Sequence, residues 1–108
     1  MKMLKAIVRP EKAGDVLLAL SQAGYRAASR MSVLGRGKQR GLKVGEVYYD
    51  EIPKEMIFLV VEDKDAPQVE KIIVDSAKTG KKGAFGDGKI FILPVETAVT
   101  ISSGEEQL

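Results

Sequence analysis

Apolar positions along the 108-residue chain fall into short runs separated by glycine, proline and charge. Leu4 to Val8 (LKAIV) stops at Arg9-Pro10, as a strand does. Pro10 pre-sets a first helical turn, Val16, Leu17, Leu20 and Ala23 follow at helical spacing, and Gly24 offers a left-handed residue to end the helix. Ala27 to Leu34 reads as a second strand and Met56 to Val61 as a third, rich in residues that suit a pleated surface. In Asp65-Ala66-Pro67-Gln68, Asp65 can cap a helix and Gln68 can reach back three residues. Val69, Ile72, Ile73 and Ala77 then line one helical face, with Gly80 as the stop. Ile90 to Val95 is a fourth strand, and Ala98 to Ile101 a candidate fifth.

The order strand, helix, strand, strand, helix, strand predicts an α+β, ferredoxin-like (βαββαβ) sandwich with an antiparallel sheet, in one domain spanning 1–108. Two helices cover one face of such a sheet. Yet the third strand is apolar on both faces, with Met56, Phe58 and Val60 against Ile57, Leu59 and Val61, and Ile90 to Val95 repeats this. The second face is therefore expected to be covered by another subunit, the alternative being a monomer with its C-terminal segment (96–108) folded over.

The longest apolar run is six residues and the N-terminus lacks a signal-peptide core, so a cytoplasmic protein without membrane insertion is expected. Absence of Cys and His removes disulfides, thiolate nucleophiles, imidazole bases and the usual zinc sites, which disfavours most enzyme classes. The net charge of +2 is small but unevenly placed. Eight of the 17 Lys and Arg, and eight of the 11 Gly, lie in GRGKQRGLKVG (Gly35 to Gly45) and KTGKKGAFGDGK (Lys78 to Lys89).

The first segment opens a stretch of about seventeen residues, 37–53, where a hairpin loop has two to five. Its basic base (Lys38, Gln39, Arg40, Lys43) and acidic, aromatic distal part (Glu46, Tyr48, Tyr49, Asp50, Glu51) suit contact with a protein. The second holds GAFGDGK, close to the phosphate loop GxxxxGK[ST], in which glycines let N–H groups face an anion and a Lys adds charge. Ile90 stands where a magnesium-binding hydroxyl belongs, and the loop runs from helix to strand, so binding without efficient hydrolysis is the better reading. A small ATPase also lacks a base beside Lys89. An RNA-binding module with two basic loops is the competing reading; three Phe and three Tyr on otherwise aliphatic faces give it little stacking surface.

The stretch TGKKGAFGDGKIFILPV resembles the C-terminal signature of the PII nitrogen-regulatory proteins, whose shorter form reads TG, a residue or two, GDGKIFV. AIVRPEKAGDVLLAL is similar to their first strand and helix, and GRGKQRG and YYDEIPKEM to the two ends of their T-loop. The T-loop, 37–53 here, is shorter than in members that regulate glutamine synthetase, and the chain is most similar to the branch encoded in nitrogen-fixation gene clusters. The resemblance implies a non-enzymatic homotrimer that binds ATP or ADP and 2-oxoglutarate in clefts between subunits. It assigns the adenine to Ile7, Ser29, Gly35 and Val60, and the phosphates to Gly37, Lys38, Gly86, Asp87, Gly88 and Lys89 of the T-loop base and the B-loop (79–89). It gives Gln39 to a magnesium ion shared by ATP and the oxoacid, and Lys54 to the distal carboxylate of 2-oxoglutarate. Through its T-loop the chain would meet nitrogenase, an ammonium channel or glutamine synthetase, and a paralogue could join the trimer. Two departures stand out: Thr100 and Ser102 replace two phosphate-binding arginines, and the B-loop is about three residues longer, offering Lys81 and Lys82 in their place. Tyr48 and Tyr49 lie near, but not at, the register of the tyrosine that some members have modified.

Overall fold

A computed structural model describes residues 1–36 and 51–108 in full and the backbone of 42–44 and 47–49. The first apolar run becomes β1 (Lys2–Val8), in which Leu4, Ala6 and Val8 are buried on one face. Helix α1 (Pro10–Gln22) starts on Pro10, where a missing N–H is harmless. It ends where Gly24 (φ +97°) donates to Ser21 O at 3.0 Å and Tyr25 N–H to Leu20 O at 2.8 Å, a closure that needs a left-handed residue. Strand β2 (Ser29–Gly35) follows, then the short β3 (Leu42–Val44) and β4 (Val47–Tyr49), β5 (Ile52–Val61), a 3₁₀ turn (Asp63–Asp65), α2 (Ala66–Ala77) and β6 (Gly88–Pro94).

The main sheet has the order β2-β5-β1-β6 with every pair antiparallel, the topology expected of the βαββαβ sandwich. β3 and β4 pair with one another, Leu42 opposite Tyr49, inside the long connection between β2 and β5. Val16 and Leu20 of α1 and Val69 and Ile73 of α2 are fully buried against Leu4, Ala6, Ile57 and Leu59 of the sheet. Over the other face, carrying Ile7, Met56, Phe58 and Val60, no helix of the described residues lies, and Met31, Phe91 and Leu93 are 47%, 48% and 39% exposed.

Several local expectations change. β5 begins at Ile52, so its first residues, counted with the loop by composition, are strand paired to β2. The expected fifth strand is a turn closed by one bridge, Val99 to Glu106, with Gly104 (φ +70°) donating to Thr100 O at 2.7 Å. Asp65 does not cap α2: it sits in the 3₁₀ turn with φ −91° and ψ −17°, whereas a capping side chain needs an extended backbone. Gln68 instead accepts from the Tyr25 hydroxyl at 2.9 Å, tying the end of α1 to α2. Helix α2 ends as Lys78 turns extended (ψ 137°), two residues before Gly80. Ala23, expected on the buried face of α1, is exposed at its C-cap, and Ala13 takes a buried place instead.

Candidate functional site

The loop from Lys78 to Asp87 joins α2 to β6, and one carboxylate shapes it. Asp87 Oδ1 accepts from the Thr79 hydroxyl at 2.6 Å and from Arg9 Nε at 3.0 Å. Its Oδ2 accepts from Ala84 N–H at 2.7 Å and Thr79 N–H at 3.1 Å. The Thr79 hydroxyl, above all, and then the Ala84 and Thr79 N–H groups and Arg9 hold this carboxyl well below the usual carboxylate range, outweighing the burial that would raise it. Arg9 also donates through Nη2 to Phe85 O at 2.6 Å, so one guanidinium clamps the loop at two points.

Glycines bring this backbone close to the sheet. A Cβ on Gly88 would stand 1.7 Å from Ile7 O, and on Gly86 3.2 Å from Arg9 Nη2. Both are exposed and take positive φ, +118° and +90°, so neither puts a side chain of its own between its main chain and solvent. Lys54, the third residue of β5, donates to Gly86 O at 2.6 Å, and its stem passes where a Gly35 Cβ would be, 3.2 Å from Lys54 Cγ. The strand leaving the long β2–β5 connection is thereby fastened to the glycine loop. Arg9, Lys54 and Lys89 gather at this end of the sheet around Asp87, whose charge is taken up internally. The assembly suits an anion lying on exposed backbone.

The structure brings Ile7, Gly35, Lys54, Gly86, Asp87, Gly88 and Lys89 to one end of the sheet; Ile7 faces both Met56 and Lys89. Asp87 has its carboxylate and its N–H, which donates to Ala84 O at 3.2 Å, engaged within the loop, so it acts as the loop's frame. Val60 faces Met3, four residues down β1 from Ile7, about 13 Å away at strand rise. Ser29 faces Phe58, also away from the loop. Thr100 and Ser102 follow Val95, whose N–H bonds Met1 O at the far end of the sheet. One chain thus carries two separated half-sets. Gly37, Lys38 and Gln39 lie outside the described residues, as do the side chains of Tyr48 and Tyr49. Among the described residues no three Asp or Glu cluster as a metal site would, and the fit of magnesium to Gln39 falls outside them.

Sequence reasoning missed Arg9 and Thr79. Arg9 ends a strand, and only the β1–β6 register, in which Val8 faces Gly88, carries it to Asp87.

The family model of the nitrogen regulatory protein P-II matches residues 1–105. The chain is 53% identical to the "Nitrogen fixation nifHD region GlnB-like protein 1" of Methanothermobacter marburgensis over 108 residues, the whole of both chains. It is 51% identical to the protein of the same name in Methanothermococcus thermolithotrophicus over 105 residues, 97% of each. That organism's "GlnB-like protein 2" is 37% identical over 97% of this chain and 94% of its own length. With the ferredoxin-like topology and the pinned GDGK loop, these matches show that the chain belongs to the P-II family of nitrogen regulatory proteins.

Proposed function

We propose that the chain is a non-enzymatic signal transducer of nitrogen metabolism that binds ATP or ADP, together with 2-oxoglutarate, and reports their levels through its T-loop. One contact carries this reading: Lys54 Nζ on Gly86 O at 2.6 Å joins the strand leaving the T-loop to the glycine loop, so an anion on that loop and the T-loop share a fastening. Phosphates lie on the backbone of Gly86 to Lys89 with Gly37 and Lys38, while Lys54 meets the distal carboxylate of 2-oxoglutarate. Magnesium, with Gln39 as its protein ligand, supplies the charge that keeps two anions together.

The working unit is a homotrimer, to which a paralogue can be added. Support comes from the helix-free apolar face and from the half-sets at opposite ends of the sheet, which a second copy can bring together. Methanothermococcus thermolithotrophicus has GlnB-like proteins numbered 1 and 2, which favours a paralogue as partner. The target is nitrogenase, with an ammonium channel or glutamine synthetase behind it; the relatives' nitrogen-fixation names support the first. The protein acts in the cytoplasm, and no helix of the described residues is long and apolar enough to cross a membrane.

Calorimetry tests the reading. ATP with magnesium binds, 2-oxoglutarate binds only afterwards, and Lys54→Ala abolishes the second event while leaving most of the first. Binding of 2-oxoglutarate without nucleotide and magnesium overturns the shared-cation mechanism, and a monomer by sedimentation at micromolar concentration overturns the trimer.

A further inference from the structure

The residues that lengthen the loop wall a cavity of about 700 Å³ between α2 and β6, within the size range of small-molecule sites. Its floor is apolar: Val8, Ile73 and Ala77 from the core, with Ile90 half-buried beside them. These residues belong to the helix-covered side of the sheet, whereas Ile7 and Met56 lie on the other, so the cavity opens on the opposite side from those two, although Asp87, Gly88 and Lys89 border both it and the anion-binding end.

Two apolar side chains stand at it with little to pack on. Val74 is 39% exposed on α2, and Phe85 is 83% exposed on the loop. Phe85 is not carried on loose chain. Its carbonyl is held by Arg9 at 2.6 Å, and the preceding N–H, of Ala84, by Asp87 at 2.7 Å, so the backbone fixes a bare aromatic ring at the rim. A fixed aromatic can hold a ligand's apolar body at little entropic cost.

Charge at the rim selects the other half of the ligand. Lys78, Lys82 and Lys89 border the cavity against Glu70 and Asp87, and Asp87 is already engaged by Arg9 and Thr79. The balance is cationic. We propose that this cavity binds a small amphipathic anion, its aromatic or aliphatic body against Phe85, Val74 and the Val8–Ile73 floor and its single acid group, a carboxylate, sulfonate or phosphate, facing Lys78 and Lys82. The site shares Asp87, Gly88 and Lys89 with the loop of the nucleotide reading, and competition with ATP separates the two.

The probes are 1-anilinonaphthalene-8-sulfonate and its uncharged analogue N-phenyl-1-naphthylamine, followed by fluorescence on the full chain. The sulfonate binds saturably, roughly tenfold tighter than the neutral compound, as one charge-assisted contact implies. The Lys78→Gln, Lys82→Gln double variant erases that difference. Phe85→Ala weakens both probes without lowering the melting temperature, since the ring is exposed. Saturating ATP does not displace the sulfonate. The proposal is overturned if the two probes bind alike to the unaltered chain, if Phe85→Ala changes neither, if ATP competes with the sulfonate, or if binding disappears as the chain self-associates, which would make a second copy the occupant.

Discussion

Gly88→Ala places one methyl group where backbone already stands. The new Cβ would be 1.7 Å from Ile7 O, 2.8 Å from Ile7 C and 3.2 Å from Val8 Cα, and none of these is a side chain that can swing away. Gly88 also has φ +118°, a conformation that costs an L-residue about 1–3 kcal/mol. Relief of the clash requires β6 to part from β1 at the Val8–Gly88 pair, losing one or two ladder hydrogen bonds worth about 1 kcal/mol each. The sum is roughly 2–5 kcal/mol, a large share of the 5–15 kcal/mol that holds a typical domain. At about 4–8 °C per kcal/mol the melting temperature should fall by about 8 °C or more. Gly80→Ala is the control: φ is +64° but nothing lies within 4 Å of its Cβ, so only the backbone strain remains. Both are to be melted and unfolded in urea at one protein concentration, because association contributes to apparent stability. If Gly88→Ala destabilises no more than Gly80→Ala, the close approach of loop and strand is refuted.

Two further outcomes follow from the packing and the loop. Ile73→Ala, at a fully buried position beneath both the core and the cavity floor, should cost about 2–5 kcal/mol by urea denaturation. Asp87→Asn should lower the melting temperature by an amount that is constant from pH 5 to 8 and shrinks below about pH 4. The folded carboxyl titrates below its unfolded value, so its stabilisation is complete above the unfolded pKa and is lost as pH falls through the folded one. A gap that widens in acid contradicts this assignment.

The fold was legible because its periodicities are local. Val16 and Leu20, and Val69 and Ile73, are buried where helical spacing put them, and Ile57, Leu59 and Val61 alternate as a strand does. What misled the reading was chemistry that acts at a distance or in a different backbone. Asp65-Ala66-Pro67-Gln68 has the composition of a capping box, but the preceding residues wind into a 3₁₀ turn that denies Asp65 the extended conformation a cap requires. Ala98 to Ile101 has strand-like residues, but its backbone partners are in its own tail, at Glu105 and Gln107, so it closes a turn. Ile52 and Pro53 read as loop because their apolar run starts only at Met56, and pairing with Leu34 and Gly35 extends the strand.

The candidate site divides along the same line. The glycines and the lysine of GAFGDGK announce an anion loop in any order of reading, and Lys54 reaches it in space with Gly35 beside the lysine stem. A motif of residue types cannot state which members face outward, and Asp87 is the case in point. It belongs to the signature, yet the structure turns its carboxylate and N–H inward, where Arg9, 78 residues earlier in the chain, completes the frame. Register alone makes that pairing, since antiparallel β1 and β6 set Val8 against Gly88 and leave the next residues of each strand face to face. On the proposed reading, the same register leaves the remaining residues to act from a second chain. Val60 lies level with Met3, and Thr100 and Ser102 follow a strand that leaves the sheet at Met1, so within one chain no small rearrangement carries them to Gly86. If the proposed function holds, a nucleotide that needs both half-sets is held only by an assembly, and its affinity should rise with protein concentration through the range in which the chains associate.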